Sequence, residues 1–292
     1  KLSSGLTVSF ENKENMAKSL CISNHRDIIM DSAFLCIVFV EALDNTVEIA
    51  IGDNLLIRPW IKKLVRVNRS FIVQRSASIR EMLASSKRLS SYMHHAITER
   101  QQPIWLAQRE GRAKDGNDLT QPGVLKMLTI DAEDFFESVK ELNICPVSIS
   151  YEYDPCDYLK AREMQLKRDN PKWKKSRKDD LVSMSVGIKG QKGRIVYRLT
   201  PSINHDIDRA LTENPALRDM SRNEQIQFVC QLIDRHIHLG YELYERGEAF
   251  DAYIESRLQL IHLSNKDEDF LREKLYEMYN NQVKNYEKTQ LV

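Results

Sequence analysis

The stretch ISNHRDIIMDSAFL, residues 22 to 35, sets His25 between an Ile-Ser-Asn lead-in and an apolar run, with Asp27 and Asp31 close behind it. A neutral imidazole acts as a general base when a carboxylate holds its other ring nitrogen, and either aspartate is near enough to do so. The same residues also suit a purely structural role. Asp27 can cap a helix, and Asp31 can sit in its first turn, where the helix dipole favours a carboxylate. On this stretch alone the two readings carry equal weight.

Other chemistries are excluded by what the motifs lack. Kinase catalytic loops also contain His-Arg-Asp, but they require Asn at position 32, where this chain has Ser32. The downstream Glu133-Asp134-Phe135-Phe136 lacks the glycine of a metal-binding Asp-Phe-Gly. His94-His95 and His236-x-His238 have no Cys or carboxylate at ligand spacing, so surface or packing roles are expected and a metal is not. The 5 cysteines are odd in number and scattered, which argues against a disulfide framework and for a reducing compartment.

With 43 basic and 42 acidic residues, nothing in the overall charge draws the chain to nucleic acid. A content of 42% hydrophobic and 29% charged residues over 292 positions reads as globular. The longest apolar run, Ala33 to Val40, falls well short of the ~20 residues that span a bilayer, so neither a spanning helix nor a signal peptide is expected.

Three further stretches follow the first in order: NRSFIVQRSAS, PIWLAQREGRAKDG and ICPVSISYEY. Together the four resemble the conserved blocks of the glycerolipid acyltransferases, which include the glycerol-3-phosphate and 1-acylglycerol-3-phosphate acyltransferases. The resemblance covers roughly residues 1 to 200 and ends on GRIVYRLTPSI. It implies a histidine base and an aspartate that orients it, spaced H-(x)4-D in the family. Here that spacing lands on Met30, and the aspartate comes one residue later, at Asp31. His25 and Asp31 therefore inherit the catalytic roles, with Asp27 as a competitor for the second.

By the same resemblance Arg75, at the end of FIVQR, inherits a contact to the acceptor's phosphate, which a planar guanidinium can bind bidentately. Glu110-Gly111-Arg112 resembles the family's E-G-x-R with one residue fewer, and Lys114 is placed to share the role of Arg112. CPVSI, residues 145 to 149, resembles a strand associated with the acyl donor. The implied reaction is transfer of a fatty acyl group from a thioester donor to a lipid hydroxyl, with 1-acylglycerol-3-phosphate as the favoured acceptor. Another lipid hydroxyl, such as that of an aminoacyl lipid, and a catalytically degenerate scaffold are the alternatives. No cofactor or metal is implied beyond the co-substrate, an acyl-carrier-protein or coenzyme A thioester. The expected setting is peripheral, on the cytoplasmic side of a membrane, without nucleic acid. Backbone N–H groups at the helix start after Asp27 are expected to stabilise the oxyanion.

The elements that position these residues alternate between strand and helix. Strands are expected near Lys18–Ser23, at VEIAIG, at SFIVQR, at PIWLAQ and at ICPVSISYEY, and helices over Ile28–Leu43, Pro59–Asn68 and Ile79–Arg100. VLKMLTIDAEDFFESVKEL reads as one further helix. Residues 162 to 178 carry eight Lys or Arg against two acids, with Trp173, and read as a solvated insertion able to meet anionic lipid or an acidic carrier protein. VSMSVGIKGQKGRIVYRL reads as a β-hairpin turning on Gly190 and Gly193. The expected fold class is α/β, a layered glycerolipid-acyltransferase-like domain over residues 1–202 with a helical C-terminal extension over 203–292.

Overall fold

The computed structural model describes residues 2–53, 56, 59–74 and 79–291. In chain order the first half runs β1 (Gly5–Phe10), α1 (Lys13–Met16), β2 (Leu20–Ser23), α2 (Met30–Leu43), β3 (Glu48–Gly52), α3 (Pro59–Val67), β4 (Ser70–Val73) and α4 (Ile79–Thr98). It continues with β5 (Ile104–Ala107), α5 (Pro122–Leu128), α6 (Phe135–Glu141), β6 (Ile144–Tyr151), α7 (Asp157–Asp169), α8 (Arg177–Lys189) and β7 (Arg194–Leu199). Helices α9 (Asn204–Glu213), α10 (Arg222–Leu239), α11 (Glu248–Gln259) and α12 (Glu268–Gln290) complete it.

Among the described residues the strands form one sheet in the order β1-β7-β6-β2-β5-β3-β4, parallel throughout except for the β6–β7 pair. β2 lies between β5 and β6, with Cys21 level with Trp105 on one side and Cys145 on the other. Strand alternation divides the core into two layers. Leu20, Ile22, Ile104 and Ile144 face the helices α4, α5, α6, α9 and α10. Cys21, Trp105, Cys145, Val147 and Ile149 face Leu35, Val38 and Phe39 of α2 and the inner side chains of β7. The fold is thus the expected α/β layering. Ile203, Ile207, Val229, Ile233 and Ile237 share the first cluster with the strands, whereas α11 and α12 build a cluster of their own on Ala161 of α7.

Two expectations are corrected. The segment read as a hairpin is helix followed by strand: residues 177 to 189 are α8, and only 194 to 199 enter the sheet. Val182, Met184, Val186 and Ile188 mimic strand alternation, but the face that packs is the small one, Ser183 and Gly187, one helical turn apart. A capping box between Ser176 and Asp179 starts the helix. Lys192 closes its other end by donating to the carbonyls of Ile188 at 3.3 Å and Gly190 at 2.9 Å. The single helix expected over 124–142 is two, because Asp134 accepts from Glu137 N at 3.1 Å and so begins α6 anew. The basic segment 162–178 is also largely helical, forming the end of α7 and the start of α8.

The C-terminal helix reaches back to the loop after β5. Asn281 donates to the Asp115 carbonyl at 2.8 Å, and Gly116, at φ +72°, lies so close that an added Cβ would overlap the Met278 carbonyl. Gly116→Ala therefore combines left-handed backbone strain with a backbone clash. It should lower unfolding free energy by more than about 1 kcal/mol in urea melts.

Candidate active site

The loops after β2, β5 and β6 all leave the sheet at the carboxyl end of its parallel strands, where α/β folds place ligands. Those after β2 and β5 meet at a cleft of about 1450 Å³ whose walls include His25, Trp105, Arg109, Glu110, Gly111, Arg112 and Lys114. β2 stops at Ser23 because Asn24 turns its amide onto the neighbouring strand. Its Nδ2 donates to the Ile149 carbonyl at 2.9 Å, and its Oδ1 accepts from Ile149 N at 2.8 Å. This pair substitutes for a ladder rung and aims the next residue, His25, into the cleft.

The His25 ring is mostly covered, and its Nδ1 lies 2.9 Å from Asp31 Oδ2. Asp31 is wholly buried in the first turn of α2. Its Oδ2 also accepts from the backbone N–H of Arg26 at 2.7 Å and of Asp27 at 2.9 Å. Its Oδ1 accepts from the Tyr151 hydroxyl at 2.9 Å. An ionised carboxylate can only accept, so the His25 proton resides on Nδ1 and Nε2 is left with its lone pair. The Trp105 ring meets the imidazole edge-on, with centroids 5.8 Å apart.

Asp27 does not pair with His25. Its Oδ1 caps α2 by accepting from Ile29 N at 2.9 Å and Met30 N at 2.8 Å. Its Oδ2 is buried without a hydrogen-bond partner, against Gly187 of α8. Burial, with the Asp31 charge beside it, pushes the Asp27 carboxyl above its usual range. The backbone N–H groups of Arg26, Asp27, Ile29 and Met30 are thus occupied by carboxylates and are not open to an oxyanion.

Gly111, at φ +69°, lets the β5 loop fold across the cleft. Burial opposes the charge of Arg112, but Cys156, Asp154 and Asp27 around it more than offset that effect and raise its pKa, and its Nη1 has no hydrogen-bond partner. Lys114 is paired with Glu163, and burial lowers its pKa. Glu110 lies on the exposed rim, where its N–H donates to Gln121 Oε1 at 2.8 Å. Arg75 lies outside the described residues; the strand leading to it contributes Val73 and Gln74 to the cleft wall. The structure therefore brings His25, Asp31, Glu110, Gly111, Arg112 and Lys114 to one place.

Sequence reading passed over the residues that hold this loop from behind. The Arg26 guanidinium forms a buried ion pair with Asp118, which also accepts from the Tyr241 hydroxyl at 2.7 Å. His238, expected to be a packing residue, donates from Nε2 to the Asp118 carbonyl at 2.6 Å. Lys160 donates to the Arg26 carbonyl at 3.1 Å and pairs with Asp154. A charged residue directly after a candidate base is the one signal in the sequence that pointed here.

Among the described residues no group of His, Cys, Asp and Glu is arranged to hold a metal ion, and no helix is long and apolar enough to cross a membrane. A largely parallel α/β sheet thus carries the His25–Asp31 pair at the end of its central strand. The family model for Acyltransferase matches residues 6–150. Residues 6–150 belong to the glycerolipid acyltransferase family, and the protein is an acyltransferase. A search among curated proteins finds no significant match to the chain.

Removing the Asp31 carboxylate leaves the Tyr151 hydroxyl, two backbone N–H groups and the imidazole N–H without their acceptor. Asp31→Ala should cost about 3–5 kcal/mol of stability, measured by urea unfolding. A loss below about 1 kcal/mol would mean that water replaces the carboxylate there.

Proposed function

We propose that the protein moves a fatty acyl group from a thioester donor to the free hydroxyl of a lipid, with 1-acylglycerol-3-phosphate as the acceptor. The observation that carries this reading is His25, held at 2.9 Å by a buried Asp31, in one cleft with an Arg112 guanidinium that keeps an unpartnered nitrogen. His25 Nε2 takes the hydroxyl proton as that oxygen attacks the thioester carbonyl. Asp31 stabilises the imidazolium as it forms. When the tetrahedral intermediate collapses, the carbon–sulfur bond breaks and the thiolate takes the proton from His25, leaving an ester and a free thiol. Arg112 binds the acceptor's phosphate.

An acceptor that already carries one chain needs apolar wall on both sides of the chemistry. β3 and β4 lie to one side of β2 and β7 to the other. Ile37, Ile51, Ile61 and Val65 line the cleft from the β3 side, and Leu181, Met184 and Ile188 of α8, which feeds β7, line it from the other. Acylation of a lipid without a phosphate, such as an aminoacyl lipid, is the second reading, favoured by Lys114 being already engaged by Glu163. The two separate in an assay with oleoyl-coenzyme A and oleoyl-acyl carrier protein as donors. Radiolabel should enter 1-acylglycerol-3-phosphate, and His25→Ala should lower transfer about 100- to 10,000-fold. Label entering only phosphate-free acceptors would select the second reading, and turnover in His25→Ala near that of the parent would remove the mechanism.

Peripheral attachment to the cytoplasmic face of an anionic membrane belongs to the same proposal. Lys172 and Lys174 are exposed between α7 and α8, while Lys175 is paired with Asp180 at 2.6 Å on the cleft wall. Vesicles of phosphatidylcholine and phosphatidylglycerol should retain the protein, less so as salt is raised. Changing Lys172, Lys174 and Lys175 together to glutamine should release it; undiminished retention would free this segment for a carrier protein or for solvent.

A further inference from the structure

The Asp31 carboxylate has two oxygens in unlike surroundings. Oδ2 is shared by the His25 ring and two backbone N–H groups, whereas the recorded partner of Oδ1 is the Tyr151 hydroxyl, at 2.9 Å. Tyr151 is buried at the carboxyl end of β6, and its place is set by pairing with Ile195 of β7. It is buried behind the cleft and is not part of its wall. On β7 the neighbouring Tyr197 directs its own hydroxyl to the main-chain carbonyl of Asp31, at 3.0 Å. Two phenols from adjacent strands thus grip one residue, one by its side chain and the other by its backbone.

We propose that Tyr151 is a positioning residue of the His25–Asp31 pair: its hydroxyl pins Oδ1 and so fixes the carboxylate plane in which Oδ2 faces the imidazole. The role rests on His25 acting as the base. A carboxylate rotates readily about its last bond, and the backbone N–H groups crowd only one of its oxygens. Without a donor on Oδ1 that oxygen would be buried and unsatisfied, and rotation to share the N–H groups would draw Oδ2 off the ring. Burial, together with the Asp31 charge, raises the Tyr151 phenol well above its ordinary value, so it remains protonated and a donor wherever the enzyme works.

The test is Tyr151→Phe in the full chain, with Ser90→Ala, which removes a buried hydroxyl donating to the Leu128 carbonyl at 2.7 Å away from the cleft, as the control. The readouts are thermal unfolding, the Nδ1–H resonance of His25 in histidine-labelled protein, and kinetics with oleoyl-coenzyme A and 1-oleoylglycerol-3-phosphate. Tyr151→Phe should shift the resonance and speed its exchange with water. It should lower kcat about 10- to 100-fold while leaving both KM values within about twofold, as expected for one lost hydrogen bond to a charged group. Ser90→Ala should lose stability as well, but with kcat within about twofold of the parent. An unchanged His25 resonance in Tyr151→Phe, or an equal fall in kcat in both variants, would overturn the proposal. Parental turnover in His25→Ala would instead overturn the base assignment, whereas parental turnover in Tyr151→Phe beside an inactive His25→Ala would overturn the role of the tyrosine alone.

Discussion

A carboxylate with no access to water is the constraint on which the loop carrying His25 depends. Asp31 is fully buried, and desolvating such a group costs several kcal/mol unless donors surround it. Its donors come from three separated parts of the chain: the imidazole and backbone of the 25–27 loop, the end of β6, and, through the carbonyl, β7. Satisfying Asp31 therefore sets the path of residues 25 to 29, the entry angle of α2 and its contact with the sheet. The same donors leave the His25 ring one orientation, so the group that could transfer a proton is positioned by the requirement to neutralise a buried charge.

The loop is also held from the side away from the cleft, by residues late in the chain. Arg26 ties to Asp118, and Asp118 to Tyr241 and His238 at the end of α10. Lys160 ties the Arg26 carbonyl to α7. α7 in turn is fastened by Asp157, which takes Arg257 at 2.6 Å, Tyr253 at 2.7 Å and Tyr279 at 2.8 Å. Buried pairs of this kind add little net stability compared with apolar packing, but breaking one is costly, which favours a single arrangement of the loop. The C-terminal helices thus act on the site through polar links without contributing to the cleft wall.

Much of this was legible in the sequence where the information is local. The strands preceding His25 and Arg109 are short apolar runs with sharp ends, and SFIV and ICPVSISY read as strands for the same reason. α8 was misread because its apolar residues alternate while its packing face is built from Ser183 and Gly187, which carry little hydrophobic signal. The break between α5 and α6 was missed because it depends on one cap, Asp134. Asp118, Tyr151 and Tyr241 could not be singled out at all. They lie roughly 90 to 220 residues from the loop they hold, and a lone buried polar residue has no period to betray it.

The one-residue excess between His25 and Asp31 can be followed through the loop. A longer spacer must either bulge the first turn of α2 or be taken up before it. α2 begins at Met30 with regular geometry after Ile29, so the extra residue is taken up before the helix. Asp27 makes that possible, since its Oδ1 accepts the Ile29 and Met30 N–H groups that a lengthened turn would leave open. Its other oxygen must then go somewhere, and it goes against Gly187, where any side chain would overlap it. The longer spacing, the capping aspartate and a glycine some 160 residues away are therefore physically linked. Asp27 is committed to holding the turn, which is why the second aspartate is the one left to meet the imidazole.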